Sequence, residues 1–104
     1  SLTNLRILQI NENRISKITS KICELKNLEK LYLIGNQITR IPETISEMRN
    51  LKILDLSNNK LSKLPTTIVK LKNSLEVLRL YDNKFSEEDI EKLKKILPKT
   101  EILF

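Results

Sequence analysis

The chain has 104 residues, a formal net charge of +6 from 19 Lys and Arg against 13 Asp and Glu, and 39% hydrophobic residues with two Tyr and two Phe as its aromatics. It contains no His, one Cys and one Gly, which excludes imidazole catalysis, an internal disulfide, cysteine-rich zinc sites and glycine-rich phosphate loops. No apolar run approaches the roughly 18 residues that span a bilayer, so we expect no transmembrane segment.

One spacing of leucine and isoleucine recurs along the chain. The pattern Leu-x-x-Leu-x-Leu-x-x-Asn-x-Leu, with Ile or Phe at some positions, occurs in Leu5–Ile15, Leu28–Ile38, Leu51–Leu61 and Leu75–Phe85. The segments start at positions 5, 28, 51 and 75, which are 23, 23 and 24 residues apart. A single supersecondary unit is therefore stacked on near-copies of itself.

These segments resemble the leucine-rich repeat family over essentially the whole chain. The tails Ile41–Asn50 and Leu64–Asn73 resemble the subgroup with repeats of about 23 residues, found in bacterial proteins and in intracellular Ras-group proteins. The resemblance implies an α/β repeat solenoid, a right-handed horseshoe with a parallel β-sheet on its concave face and short helical turns on its convex side. By analogy with the family, it also implies a module for protein recognition.

The chain begins within a unit. Ser1–Asn4 match the closing residues Glu24–Asn27 and Glu47–Asn50, so we expect residues 1–4 to end a truncated repeat of a longer protein. One array of repeats follows at 5–27, 28–50, 51–74 and 75–100, with a terminal strand or cap at 101–104. An absent signal peptide is then uninformative, and the location stays open between cytoplasmic and secreted.

Each repeat opens with a predicted short β-strand. Leu31 and Leu33 alternate with Lys30 and Tyr32, which is the period-two pattern of a strand with one buried face. The inward positions of the four strands are Leu8/Ile10, Leu31/Leu33, Leu54/Leu56 and Leu78/Leu80.

The residues between the inward positions are predicted to line the concave face and to bind a protein partner. They form three rows: Ile7, Lys30, Ile53, Val77; then Gln9, Tyr32, Asp55, Arg79; then Asn11, Ile34, Ser57, Tyr81. Strands about 4.8 Å apart make Asp55 and Arg79 neighbours that can pair. Aromatic and apolar residues with a charged rim are typical of interfaces, although the same residues also suit a strand.

The size of this face limits the prediction. Four strands of about five residues offer roughly 300 Å², against about 800 Å² per partner in a standard interface. We therefore expect flanking surfaces or further repeats to contribute.

An asparagine falls at the turn after each strand: Asn13, Asn36, Asn59 and Asn83. An amide both donates and accepts hydrogen bonds and tolerates unusual turn dihedrals. We interpret the four as a structural Asn ladder that pairs turn backbone, in preference to a ligand site.

The return arms are predicted to be short helical turns on the convex side. Pro42 and Pro65 each remove a backbone donor and favour extended backbone before them. Cys23 lies on the first arm at the position of Ser46 and Val69, which indicates a half-buried structural residue, with a regulatory thiol as the alternative.

The fourth repeat ends differently. Ser86–Asp89 is a capping-box pattern, and a C-terminal capping helix is predicted up to Pro98. Apolar residues recur in it at helical spacing: Ile90, Leu93, Ile96 and Leu97. The acidic first turn complements the helix dipole, an interpretation preferred over a metal site. Glu101–Phe104 is predicted as a last strand, with Phe104 covering the final layer.

No enzyme is predicted, because Ser, Thr, Lys and carboxylates occur without a base and an orienting partner. No cofactor is expected either. The main hypothesis is a non-catalytic protein-protein interaction module that uses the concave face. We expect a monomer unless the open N-terminal end associates.

The alternative is a structural spacer or a basic-edge binder of polyanions or anionic surfaces. It depends on six cations just after the strands, which we name the basic edge: Arg14, Lys17, Arg40, Lys60, Lys63 and Lys84. Such an edge can contact phosphates. Acidic residues alternate with basic ones along another row, however, as Arg6, Glu29 and Lys52 do. A solvated flank is the preferred interpretation, and nucleic acid is not expected as a partner.

Overall fold

The structure, a computed structural model, describes residues 4–104. Five short strands of this part of the chain form one parallel sheet, in which they lie side by side in chain order. The strands are β1 (Ile7–Gln9), β2 (Lys30–Tyr32), β3 (Ile53–Asp55), β4 (Val77–Arg79) and β5 (Glu101–Leu103). The described chain measures 41 × 30 × 19 Å. The predicted repeat architecture with a parallel sheet is confirmed, and the end of a truncated repeat predicted at residues 1–4 lies mostly outside the described residues.

The inward leucines form the core, as the alternation predicted. Leu31 on β2 pairs with Leu54 on β3, and Leu54 pairs with Leu78 on β4, so each layer stacks on the same residue type of the next. All three side chains are fully buried. Leu8 and Ile10 at the β1 edge are only half-buried, because the described chain packs a further layer on one side of them only.

The return arms contain short 3₁₀ helices at Ile22–Glu24, Glu43–Glu47 and Thr66–Leu71. Pro42 and Pro65 immediately precede the second and third of these and have extended backbone. A proline fits there because the first turn of a helix does not use that backbone donor. The predicted short helical turns are confirmed.

The turn after each strand passes through left-handed backbone at one equivalent residue in each repeat, and in the first repeat Arg14 does so as well, with φ 56°. The φ angles are 55° at Glu12, 73° at Gly35, 57° at Asn58 and 53° at Asp82. Gly and Asn adopt this conformation readily, whereas Glu does so at a cost. A Cβ on Gly35 would also lie 2.9 Å from the Glu12 Cγ, so this turn of the second repeat leaves little room for a side chain.

The predicted capping helix is present as α1 (Glu87–Ile96). The Ser86 Oγ accepts from the Asp89 backbone N–H at 3.1 Å, and the Asp89 Oδ2 accepts from the Ser86 N–H at 3.2 Å. Ile90 and Leu93 are buried against the core. No helix in the described part of the chain is long and apolar enough to cross a membrane.

The chain then returns to the sheet as β5, which pairs Ile102 with Leu78. The Thr100 hydroxyl donates to the Leu75 carbonyl at 2.7 Å and fixes the return. Phe104, which was predicted to cover the final layer, is 56% exposed instead. The ring is not needed over the core, because the buried face of α1 already covers the core on that side. The centre of the ring lies 4.9 Å from the Lys94 Nζ.

Candidate functional site

The sheet aligns the predicted rows across the strands. The Cα partners run Ile7, Lys30, Ile53, Val77 in one line and Gln9, Tyr32, Asp55, Arg79 in the next. The third row, which contains Asn11, Ile34, Ser57 and Tyr81, is joined by backbone hydrogen bonds of 2.8 to 3.0 Å just past the strands. We name these three rows the open face of the sheet.

The apolar side chains of the open face are accessible. Within residues 4–104, the large apolar side chains that stay exposed are Ile7 at 49%, Tyr81 at 44% and Phe104. Two of the three therefore lie on this face. Tyr32 and Ile34 lie between them and are half-buried.

An ion pair crosses the middle of the open face. The Arg79 Nη1 lies 3.4 Å from the Asp55 Oδ2, as the spacing predicted, and the other Asp55 oxygen accepts from the Ser57 N–H at 3.1 Å. Asp55 is 4% exposed and Ser57 is 6% exposed. Asp55 is therefore a buried anchor that orients Arg79, and neither Asp55 nor Ser57 offers much surface to a partner.

Asn11 also has a structural contact that the sequence did not indicate. Its Oδ1 accepts from the Ile34 N–H at 2.9 Å and joins the third row between β1 and β2. The residues of the open face that present side-chain surface are thus the apolar and aromatic ones together with Gln9, Lys30 and Arg79. Because Asp55 is paired with Arg79, Lys30 leaves the accessible face with a small positive charge.

The Asn ladder connects the turns that follow the strands of consecutive repeats. The Asn36 amide donates to the Ile10 carbonyl at 2.7 Å and the Leu33 carbonyl at 3.0 Å, while its oxygen accepts from the Asn13 N–H. Asn59 and Asn83 donate to the corresponding carbonyls one and two repeats further on. Their oxygens accept from the Ile38 and Leu61 N–H groups, as the Asn36 oxygen also does from the Ile15 N–H. These bonds join consecutive turns and use the amides within the fold.

The basic edge is exposed along its length. Lys17 and Arg40 line one hollow, and Arg40 and Lys63 line the next, so these three follow one another from repeat to repeat. Glu43 lines both hollows and interrupts the positive charge. The alternating row beside the strands is paired, with Arg6 and Lys52 at 3.1 and 3.8 Å from Glu29.

Cys23 is more deeply buried than the half-buried position predicted for it, at 1% exposure. Burial raises the pKa of its thiol. A buried thiol of raised pKa is a poor nucleophile. No group of three or more His, Cys, Asp or Glu in the described chain is arranged to hold a metal ion.

Known proteins share both the sequence pattern and the fold. The leucine rich repeat family matches residues 3–61 and again 26–85. Among curated proteins, none matches the chain in sequence. A solved leucine-rich-repeat protein of Leptospira interrogans superposes with a TM-score of 0.92 at 40% identity over 96% of this chain. An internalin of Listeria monocytogenes superposes with a TM-score of 0.83 at 28% identity over 99% of it.

The chain spans only 25% of the Leptospira chain and 29% of the internalin. Proteins of this kind are typically non-catalytic, which supports a protein-interaction module in general terms. With two overlapping matches that together cover most of its sequence, the chain belongs to the leucine-rich repeat family.

Proposed function

We propose that the protein is a non-catalytic recognition module that binds a protein partner through the open face of its sheet. The observation that carries the proposal is the exposure of Tyr81, at 44%, beside half-buried Tyr32 and Ile34 on that face. Apolar surface that is contiguous and rimmed by polar residues marks interaction sites. Both solved neighbours are bacterial, which favours a bacterial protein.

The chemistry of the face fits a small binding centre with a charged border. Tyr32 and Tyr81 bring large contact area at low conformational entropy, and aromatic residues dominate the energetic centres of interfaces. Arg79 is held by buried Asp55 at 3.4 Å, so less of its freedom is lost when a partner binds. We infer a partner surface with an apolar centre and carboxylates near Lys30 and Arg79.

The test is the double substitution Tyr32→Ala with Tyr81→Ala, used as bait beside the native chain. The matched control is Arg49→Ala with Lys70→Ala, two exposed residues of the return arms. Loss of two aromatic anchors should weaken binding of a captured partner by about 30-fold or more, while the control stays near the native value. Equal capture by the native chain and the tyrosine variant would refute the proposal.

A second candidate function, binding of polyanions at the basic edge, is favoured by the succession of Lys17, Arg40 and Lys63. It predicts retention on heparin that survives about 0.3 M salt and is lost when Arg40, Lys60 and Lys63 are reversed in charge. Elution below that salt concentration by the native chain would remove this candidate.

A further inference from the structure

α1 packs less closely against the preceding return arm, Thr66–Leu71, than the second and third return arms pack against each other. The 3₁₀ helices Glu43–Glu47 and Thr66–Leu71 pack side by side, whereas α1 makes far fewer contacts with Thr66–Leu71. An α-helix with its side chains is about 10 to 12 Å wide, so it does not fit the spacing of the narrower arms. A groove of about 440 Å³ remains between α1 and residues 63–68.

The floor of this groove is apolar. One wall carries Leu64, Pro65 and Ile68, and the other carries Phe85, Leu93 and Ile96. Phe85 is only half-buried, although Ile38 and Leu61 at the same position of earlier repeats are fully buried. The last repeat therefore leaves apolar surface accessible where the second and third repeats cover it.

The rim of the groove is positive. Lys63 stands on one wall and Lys92 and Lys95 on the other, and all three are exposed. The carboxylate that lines the groove, Asp89, accepts from the Ser86 N–H and hydroxyl at 3.2 and 2.9 Å. It keeps its negative charge and so offsets one of the three lysine charges.

Lys92 also lies 3.5 Å from Glu88, but both side chains are more than 70% exposed. Such a surface pair contributes little and is readily exchanged. The lysines of the rim therefore remain available to an incoming anion.

We propose that this helix groove binds a peptide segment in which one or two large apolar side chains are flanked by carboxylates. The apolar floor accepts the side chains, and Lys63, Lys92 and Lys95 pair with the carboxylates on either side. The groove opens to solvent, so a peptide backbone can lie along it. It is separate from the open face, and the proposal holds whether or not the open face binds a partner.

The probe is a fluorescein-labelled peptide with a Leu-Phe centre between two Glu-Asp pairs, titrated by fluorescence anisotropy at moderate ionic strength. One control peptide has Ser at both central positions, and another has Lys in place of the carboxylates. We expect saturable binding of the first peptide and none of the two controls.

Paired lysine variants test the site. Lys63→Gln with Lys95→Gln should weaken binding about 5- to 20-fold, since each substitution removes one exposed ion pair of modest strength with the peptide. The matched control is Lys94→Gln with Lys99→Gln, which removes the same charge from exposed positions outside the groove. The control should change affinity less than about 2-fold at moderate ionic strength, where distant charges are screened.

Amide chemical shifts then locate the peptide. Shifts confined to residues 63–68 and 85–96 support the proposal, and shifts centred on the open face overturn it. Equal weakening by both lysine pairs, or equal binding of the Ser peptide, would also overturn it because either result means nonspecific attraction. Sodium decanoate binding as tightly as the peptide would identify an anionic amphiphile as the occupant and contradict a peptide site.

Discussion

The two sides of each strand differ in how much they change from repeat to repeat. On the inner side, Leu31, Leu54 and Leu78 are identical and fully buried. One position further along the same strands, Tyr32, Asp55 and Arg79 are all different. Inner positions must fit the same packed layer each time, whereas outer positions face no neighbouring layer. The inner residues are thus constrained by packing, and the outer residues of the same strand are free to vary, as the proposed recognition role requires.

The difference between inner and outer positions is tested most strongly by two substitutions at adjacent positions of β3. Leu54 is fully buried and Ile53 on the outer side is half-buried. We expect Leu54→Ala to lower the free energy of unfolding by about 3 to 5 kcal/mol through lost burial and a cavity. Ile53→Ala should cost about 1 kcal/mol.

Urea unfolding followed by circular dichroism measures both variants. The separation of roles along the strand fails if the two losses are equal.

The Asn ladder offers a second comparison, between an inner and an edge member. Asn59 is 7% exposed, and its amide donates to the Leu33 and Leu56 carbonyls at 2.9 Å each. Asn59→Ala leaves the buried Ile38 N–H, which donates to the Asn59 Oδ1 at 3.1 Å, without an acceptor and takes one of two amide donors from each carbonyl. It should cost about 2 to 4 kcal/mol. Asn13 is exposed and donates to the Asn11 carbonyl, so Asn13→Ala should cost about 1 kcal/mol or less.

Thermal unfolding by calorimetry ranks these two variants. A larger loss for Asn13→Ala than for Asn59→Ala would show that the ladder does not act by pairing buried backbone.

A smaller effect is expected at the turns that follow the strands. Glu12 and Asn58 both have left-handed backbone, with φ angles of 55° and 57°. This conformation is less favourable for Glu than for Asn. Glu12→Gly should raise the free energy of unfolding by about 0.5 to 1 kcal/mol, and Asn58→Gly should leave it nearly unchanged. Denaturant midpoints measure this, and destabilisation by Glu12→Gly would contradict the account of the turn.

The elements that could be predicted from the sequence are those whose pattern recurs in each repeat and the helix start that a local capping box specifies. The strands, their register and the inward leucines follow from one spacing that occurs four times. The start of α1 follows from Ser86–Asp89, because a capping box acts through bonds between residues three apart.

The features that the sequence did not reveal depend on distances between layers. Asp55 and Ser57 have outward positions yet are buried at 4% and 6%, because long neighbouring side chains cover short ones on the sheet. Cys23 is buried beneath the next arm, and Phe104 remains exposed. The helix groove exists because α1 is wider than a 3₁₀ arm, and residue spacing does not encode how far apart two arms stand.

The separation of stability from recognition is tested most directly by one variant measured in two ways. For Tyr32→Ala with Tyr81→Ala, we predict a free energy of unfolding within about 2 kcal/mol of the native value, because strand propensities at such positions span about 1 kcal/mol each. Partner capture by the same preparation should be lost. A destabilisation as large as that of Leu54→Ala, or capture that persists, would contradict the account.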